Sequence, residues 1–186
     1  VWATAIKISP AAAHTVAPIS GIMGLARRSD QRPAAIATGT AVMVHLAVTD
    51  PERDGHVFSE VLWRTSPLLG GFGAPPDPLI AWARAPPGTH RRWTLSLEGG
   101  RFALSARDAA KGVGLELSAR PTRPPALQGP NGYSRKSEAE GYASLYFSLT
   151  RLALEGDLEL RGERHRVRGE GWMDREFGSS QLAPGQ

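Results

Sequence analysis

The feature that most constrains the fold is the alternation of apolar and polar residues in short runs separated by turns rich in glycine and proline. Residues 92–98, the turn Gly99-Gly100 and residues 101–107 alternate with a period of two on both sides of the turn, as residues do in a β-hairpin. The last third of the chain, residues 142–182, repeats this pattern. Short alternating runs of this kind predict an all-β, antiparallel barrel or sandwich.

Nine short strands are predicted, and no segment has the apolar periodicity of an amphipathic helix. The predicted strands are residues 41–48, 56–64, 79–83, 92–98, 101–107, 112–120, 142–154, 156–161 and 165–173. Residues 1–38 are expected to be irregular, and residues 66–78 and 121–140 to form loops. A closed barrel of about eight strands leaves room inside for one small ligand. An apolar interior cavity is therefore the expected binding site.

The composition excludes several classes of function. The chain has no cysteine, which excludes disulfides, cysteine-ligated zinc and thiol nucleophiles. No stretch approaches the roughly 18 consecutive apolar residues of a membrane span, so no integral membrane segment is expected. The net charge of +4 comes from arginine, but the basic residues are spread along the chain and interleaved with acids, so no nucleic-acid partner is expected. No signal peptide is visible at Val1, and the sequence leaves the compartment undetermined.

The most concentrated chemistry lies in the block Trp172-Met173-Asp174-Arg175-Glu176. Alternation along a strand places Trp172, Asp174 and Glu176 on one face, and Met173 and Arg175 on the other. Asp174 is the candidate catalytic residue, because a carboxylic acid kept neutral by an apolar cavity could protonate an alkene. The alternative interpretation is a structural ion network in which Asp174 and Glu176 pair with neighbouring arginines.

Further residues are candidates for substrate binding: Trp172, Tyr146, His45, Glu176 and Arg151. Trp172 could stabilise a cation by its π face, although a strand tryptophan is more often part of the core. Arg151 is expected to hold Glu176. His45 lies in an apolar strand, where a hydrogen-bonded core residue is the alternative to a ligand contact. The histidines show no metal-ligand spacing, so neither a metal nor another cofactor is predicted. Ser134 is not in a Gly-x-Ser-x-Gly elbow, so hydrolase chemistry has little support.

Four segments, taken in order, resemble one known family: residues 44–50, 124–136, 143–152 and 169–182. They are similar to the lipocalin-like proteins grouped with AttH, the "predicted secreted hydrolases" and hydroxyneurosporene synthase, a carotenoid hydratase. The resemblance implies a lipocalin-like domain over residues 39–182, with a tail at residues 183–186. It also implies that the chain is mainly the N-terminal barrel of a two-barrel protein, whose second barrel would be a partner. A secreted, periplasmic or membrane-associated bacterial protein is the implied location.

What the resemblance implies about activity leaves three hypotheses open. The first is an enzyme that binds an isoprenoid- or polyketide-like molecule and uses Asp174 for hydratase, hydrolase or cyclase chemistry, since the essential acid of the hydratase matches Asp174. The second is a carrier that binds a lipid-like ligand without reaction. The third is a half-protein that requires its second barrel, which would expose an apolar patch along one edge. An Asp174 free of arginine would favour the enzyme, and one paired with Arg151 or Arg175 would favour a structural role.

Overall fold

The computed structural model describes residues 2–10, 20–28, 41–51, 53–138 and 142–180, with side chains described for residues 41–51, 53–138 and 142–178. The strands are β1 (Trp2–Pro10), β2 (Ser20–Arg28), β3 (Ala41–Asp50), β4 (Gly55–Arg64), β5 (Gly70–Phe72), β6 (Leu79–Arg84), β7 (Arg92–Glu98), β8 (Arg101–Asp108), β9 (Val113–Pro121), β10 (Ala126–Leu127), β11 (Tyr133–Arg135), β12 (Ala143–Leu160) and β13 (Glu163–Ser180). One 3₁₀ turn, Pro130–Gly132, separates β10 from β11. The predicted all-β, antiparallel architecture is confirmed.

All thirteen strands belong to one sheet, in the order β4-β3-β2-β1-β13-β12-β9-β8-β7-β6-β5, with β10 and β11 paired to β12. The sheet curls until its two ends meet. The indole nitrogen of Trp63 in β4 donates to the carbonyl oxygen of Arg84 in β6 at 2.8 Å. A Cβ on Gly70 in β5 would lie 2.3 Å from a methyl carbon of Val42 in β3. Strands from both ends of the sheet therefore cover the same core.

The inner face of the curled sheet is apolar and filled. Its largest fully buried apolar side chains are Trp93, Leu46, Leu95, Leu152, Met173, Val42, Val44, Val48 and Val113. They come from strands along most of the described sheet, as the period-two pattern requires. The outer face of β8, β9, β12 and β13 carries ion pairs instead, including Arg107 with Glu159 at 2.6 Å and Arg164 with Asp157 at 2.9 Å.

Three predictions about the elements are wrong. Residues 1–38 were expected to be irregular, but β1 and β2 lie there and β1 pairs with β13 from Trp2↔Phe177 to Pro10↔Gly169. The loop expected over 121–140 contains β10 and β11. The expected break near Gly156 is absent, because its φ of 153° lets β12 run on while remaining paired with β9 and β13. The tail at 183–186 lies outside the described residues.

Candidate functional site

The candidate site lies on the outer face of the sheet, where β12 and β13 extend past the core. Ser148 pairs with Asp174, and Leu149 pairs with Met173. Directly paired residues point to the same face of a sheet. Met173 is fully buried in the core, so its neighbour Asp174 points away from the interior. The expectation of an interior site around Asp174 is therefore wrong, whereas the predicted separation of Asp174 from Met173 is confirmed.

A β-bulge in β12 makes this arrangement possible. The register shifts between Leu149 and Leu152, where two residues of β12 oppose one residue of β13. Leu149 and Leu152 are both buried despite being three residues apart. Before the bulge, Ser144, Tyr146 and Ser148 lie on the same face of the sheet as the acids of β13, and Ser144 and Ser148 are buried there.

Asp174 accepts hydrogen bonds from neutral donors. The Ser148 hydroxyl donates to Asp174 Oδ1 at 2.6 Å, and the indole N–H of Trp172 donates to the same oxygen at 2.8 Å. Ser148 in turn accepts a hydrogen bond from Gln128 Nε2 at 3.1 Å. Trp172 is 41 % exposed, so it is not the core residue that the alternative interpretation of the sequence offered. An exposed indole face therefore stands next to a carboxyl group.

Tyr146 is the third hydroxyl or N–H group at Asp174. Burial raises the pKa of its phenol, and the negative charge of Asp174 and a hydrogen bond to it raise that pKa further. The phenol consequently keeps its proton and can donate a hydrogen bond to the carboxylate. The ammonium nitrogen of Lys136 lies 5.4 Å from the centroid of the Tyr146 ring, within the range of a cation–π contact.

Glu176, the second acid of the block, already has a cationic partner and a hydrogen-bond donor. Lys136 Nζ lies 2.5 Å from Glu176 Oε1, and the Ser144 hydroxyl donates to the same oxygen at 2.6 Å. Burial pushes the pKa of Glu176 upward, but the hydrogen bonds from Lys136 and Ser144 together with the lysine charge outweigh burial and lower it. Glu176 is therefore held as a carboxylate at neutral pH.

The prediction that Arg151 holds Glu176 is wrong. Arg151 makes a two-pronged contact with Glu170, with Nε to Oε1 at 2.8 Å and Nη2 to Oε2 at 3.0 Å. The bulge accounts for the difference, because it displaces Arg151 towards the hairpin end of β13. Arg175 lies on the opposite face from Asp174, with its guanidinium carbon 5.8 Å from the Phe177 ring centroid. Within the described residues, no arginine, lysine or histidine forms an ion pair with Asp174.

His45 shares the outer face and the same cross-strand row as Asp174. The register runs from His45 to Gly24, from Gly24 to Ala5 and from Ala5 to Asp174. Three strand spacings separate the two residues by about 14 Å. The two intervening positions hold a glycine and an alanine, which are among the smallest residues.

The surroundings of His45 are partly apolar. Its Nε2 lies 3.4 Å from Glu60 Oε2, and the ring meets Phe58 edge-on with 5.4 Å between centroids. The Nε2 atom itself is shielded from solvent and makes no hydrogen bond, although the side chain is 32 % exposed. His45 is therefore not the hydrogen-bonded core residue that the sequence offered as one interpretation; it stands on the outer surface beside an exposed phenylalanine.

Sequence reasoning missed four residues that complete the site: Ser144, Ser148, Gln128 and Lys136. The alternation of Ser144, Tyr146 and Ser148 was visible and could have indicated the two serines. No sequence pattern indicated that Gln128 and Lys136 reach the site, because both lie in the segment that was expected to be a loop. Among the described residues, no group of three or more histidine, aspartate or glutamate side chains could hold a metal ion.

A model of the AttH-like family matches residues 23–186. The chain belongs to the AttH-like family. The match begins within β2, on the N-terminal side of the boundary predicted at residue 39. No curated protein sequence matches the chain.

Two solved structures share the fold. An AttH-like protein from Nitrosomonas europaea is 24% identical with a TM-score of 0.75, and the alignment covers 98% of this chain and 52% of that one. Kievitone hydratase from Nectria haematococca is 13% identical with a TM-score of 0.66, and the alignment covers 98% of this chain and 49% of that one. The predicted lipocalin-like fold is confirmed, and the chain spans about half the length of these two proteins. Within the described residues, no helix is long and apolar enough to span a membrane.

Proposed function

We propose that this AttH-like domain binds an apolar, isoprenoid- or polyketide-like molecule on the outer face of the sheet, and that Asp174 exchanges a proton with a carbon–carbon double bond of that molecule. The observation that carries the proposal is the environment of Asp174. It stands beside an exposed indole, is bonded by neutral donors and has no cationic partner among the described residues. The likeness to a hydratase adds support for addition of water rather than hydrolysis.

The proposed reaction needs no group beyond water. A protonated Asp174 would transfer its proton to one alkene carbon and leave a cation on the other carbon. The face of Trp172 can stabilise that cation. A water molecule would then bond to the cationic carbon and return a proton to Asp174. With no water admitted, a second double bond could bond to the cationic carbon and close a ring, and the new cation would then lose a proton to the Asp174 carboxylate. That is the cyclase version of the same chemistry.

His45 defines the far end of the proposed binding surface. It lies on the same row as Asp174 at about 14 Å, and an extended molecule of that length would contact both. The exposed rings of Phe58 and Trp172 offer apolar surface at the two ends. We therefore assign Trp172, Tyr146 and His45 to substrate binding. Glu176 and Arg151 are assigned to supporting ion pairs with Lys136 and Glu170.

The second candidate function is a carrier that binds the same ligand without reaction. One observation favours it: Ser148 and Trp172 both donate to Asp174 Oδ1, and donors of this kind stabilise a carboxylate rather than a neutral acid. The enzyme and carrier functions share a binding surface and differ only in the fate of the ligand.

We also propose that a second lipocalin-like barrel covers the inner side of the strand ends beyond the core. There Leu127, Tyr133 and Leu145 are 58%, 50% and 56% exposed. The register aligns Tyr133 with Leu145 and Leu145 with Phe177, so these side chains share one face. A contiguous apolar surface of this kind is typical of an interface. The solved relatives, about twice as long as this chain, have enough additional length for another domain.

The decisive experiment for the enzyme compares wild type with Asp174→Asn by native mass spectrometry after incubation with isoprenoids and fatty acids. We expect both proteins to retain a ligand, and only wild type to convert it to a product heavier by one water. Asp54→Asn is the matched control, because Asp54 is exposed in a turn with φ of 44° that asparagine also adopts. Retention of unchanged ligand by all three proteins would establish the carrier. Retention by none would contradict both functions.

A further inference from the structure

Lys136 connects the segment before β12 to Glu176, one of the two neighbouring acids of β13. Resting on the proposed function, we infer that Lys136 is a positioning residue that holds Glu176 ionised and so reserves proton exchange for Asp174. The two carboxyl groups lie two residues apart on one face of β13. Of the two, only Glu176 has a cationic partner among the described residues.

The geometry fixes Lys136 at both ends. Its backbone N–H donates to the carbonyl oxygen of Tyr142 at 2.9 Å, which anchors the start of the side chain. Its ammonium group reaches Glu176 Oε1 at 2.5 Å, where Ser144 also donates. The side chains of Lys136 and Glu176 are only 27% and 21% exposed. A pair shielded to this degree is screened less by solvent than a surface ion pair.

The other groups around the pair act on the two acids differently. Tyr146 interacts with both acids, although its hydrogen bond goes to Asp174. The residues of β1 paired with Glu176 and Asp174 are Ala3 and Ala5, and neither alanine titrates. Among the described side chains, Lys136 is therefore the cationic group that distinguishes the two carboxyls. Neighbouring acids in different environments take different roles in proton transfer.

The alternative is that Lys136 only ties its segment to the sheet. Two substitutions separate the possibilities: Lys136→Gln keeps a hydrogen-bond donor and removes the charge, whereas Lys136→Arg keeps both. The readout is the titration of carboxyl carbons by ¹³C NMR in ligand-free protein, which requires no substrate and no turnover. Failure of the inference is thus distinguishable from failure of the proposed function.

We expect the titration midpoint of Glu176 to rise by about one pH unit or more in Lys136→Gln and to stay near the wild-type value in Lys136→Arg. Glu159, whose partner is Arg107, should titrate alike in all three proteins. An unchanged Glu176 midpoint in Lys136→Gln would overturn the inference and leave Lys136 a structural tie. In wild type, raising the salt concentration to about 1 M should move the midpoint in the same direction by screening the lysine. Because the salt experiment uses wild type alone, it tests the effect of the lysine charge even where a variant fails to fold.

The sign of the stability effect follows from the same pair. The pKa of Glu176 in the folded protein is lower than its ordinary value of 4.5, so the pair stabilises the fold above about pH 4.5 and this contribution is lost as the pH falls through the folded-state pKa. The stability difference between wild type and Lys136→Gln should therefore be larger at about pH 7 than at about pH 3. An equal difference at both values would contradict an ionised Glu176.

Discussion

Gly156 is a residue at which the backbone leaves almost no choice of side chain. It lies in the middle of β12 with φ of 153°, and a Cβ built there would be 2.0 Å from the carbonyl oxygen of Glu116. That oxygen belongs to the backbone of β9, the strand paired with Gly156, so it cannot move aside without disturbing the sheet. Glycine here allows two long strands to remain continuously paired.

We predict that Gly156→Ala lowers the free energy of unfolding by roughly 2–4 kcal/mol, because either the sheet must separate locally or the backbone must change conformation. Urea unfolding monitored by tryptophan fluorescence gives the value. Gly99→Ala is the matched control, since Gly99 has φ of 55° with nothing within 4 Å of the added Cβ. It should lose only about 1 kcal/mol, from backbone strain. Equal losses would show that the contact with Glu116 does not matter.

At the residue scale, the sequence predicted which side chains share a face but not what they bind. Alternation placed Trp172, Asp174 and Glu176 together, and the hydrogen bonds from Trp172 and Ser148 agree with that placement. The predicted partner of Glu176 was wrong. Its observed partner, Lys136, lies 40 positions away along the chain, and no local pattern connects the two residues. Pairing of this kind depends on register, which a single sequence does not specify.

At the scale of elements, β4 is joined to the turn after β8 by a buried polar contact. The hydroxyl of Ser59 donates to Asp108 Oδ2 at 2.6 Å, and both residues are buried. The other oxygen of Asp108 accepts from the backbone N–H groups of Ala110 and Lys111 at 3.1 and 3.2 Å. Lys111 extends the connection by donating to the carbonyl oxygen of Phe58 at 2.6 Å. These contacts link parts of the sheet that are far apart in strand order.

We predict that Ser59→Ala destabilises the fold by about 1–3 kcal/mol, because it removes the donor to a buried carboxylate oxygen. Thermal unfolding followed by circular dichroism is the measurement. Ser96→Ala serves as the control, since Ser96 lies in β7 and is only partly buried; it should change stability by less than about 0.5 kcal/mol. A loss no larger for Ser59 than for Ser96 would mean that water replaces the hydroxyl.

Strands with a clear alternation of apolar and polar residues were predictable from the sequence. Strands that form only because their backbone pairs with a neighbouring strand were not. The hairpin of β7 and β8 has Gly99 and Gly100 at φ of 55° and 75°, as its glycine pair indicated. β10 has two residues and β11 has three, which is too short for any periodicity to appear. They exist as strands because the edge of β12 beyond β9 offers unpaired backbone groups.

At the scale of the whole molecule, the outer surface divides into regions of different chemistry. Ion pairs cover β8, β9 and the hairpin half of β12 and β13, whereas the site half carries Trp172, Tyr146 and the row that leads to His45. Arg107 illustrates the first region: it holds Glu159 through two hydrogen bonds and lowers its pKa. The same region lines an open polar cavity that includes Arg91, Glu116 and Glu159.

The exposed apolar surface formed by Leu127, Tyr133 and Leu145 should bind a hydrophobic dye. We predict that the double substitution Leu127→Ser with Leu145→Ser reduces the fluorescence of bound 8-anilinonaphthalene-1-sulfonate by roughly half or more. Leu68→Ser is the control, because Leu68 is 79% exposed and lies outside this surface. Dye binding that is unaffected by the double substitution, or equally reduced by the control, would contradict an apolar interface at the strand ends.

The bulge between Leu149 and Leu152 has a consequence for how this protein can change. The residues of β12 that face the core change parity at the bulge: Phe147 and Leu149 face the core before it, and Leu152 and Leu154 face the core after it. Loss of Thr150 would remove this change and turn either Phe147 and Leu149 or Leu152 and Leu154 away from the core. We therefore expect a change of length within β12 to disturb the fold more than an exchange of one residue for another. A change of length in a turn would leave both parts of the strand facing as they do now.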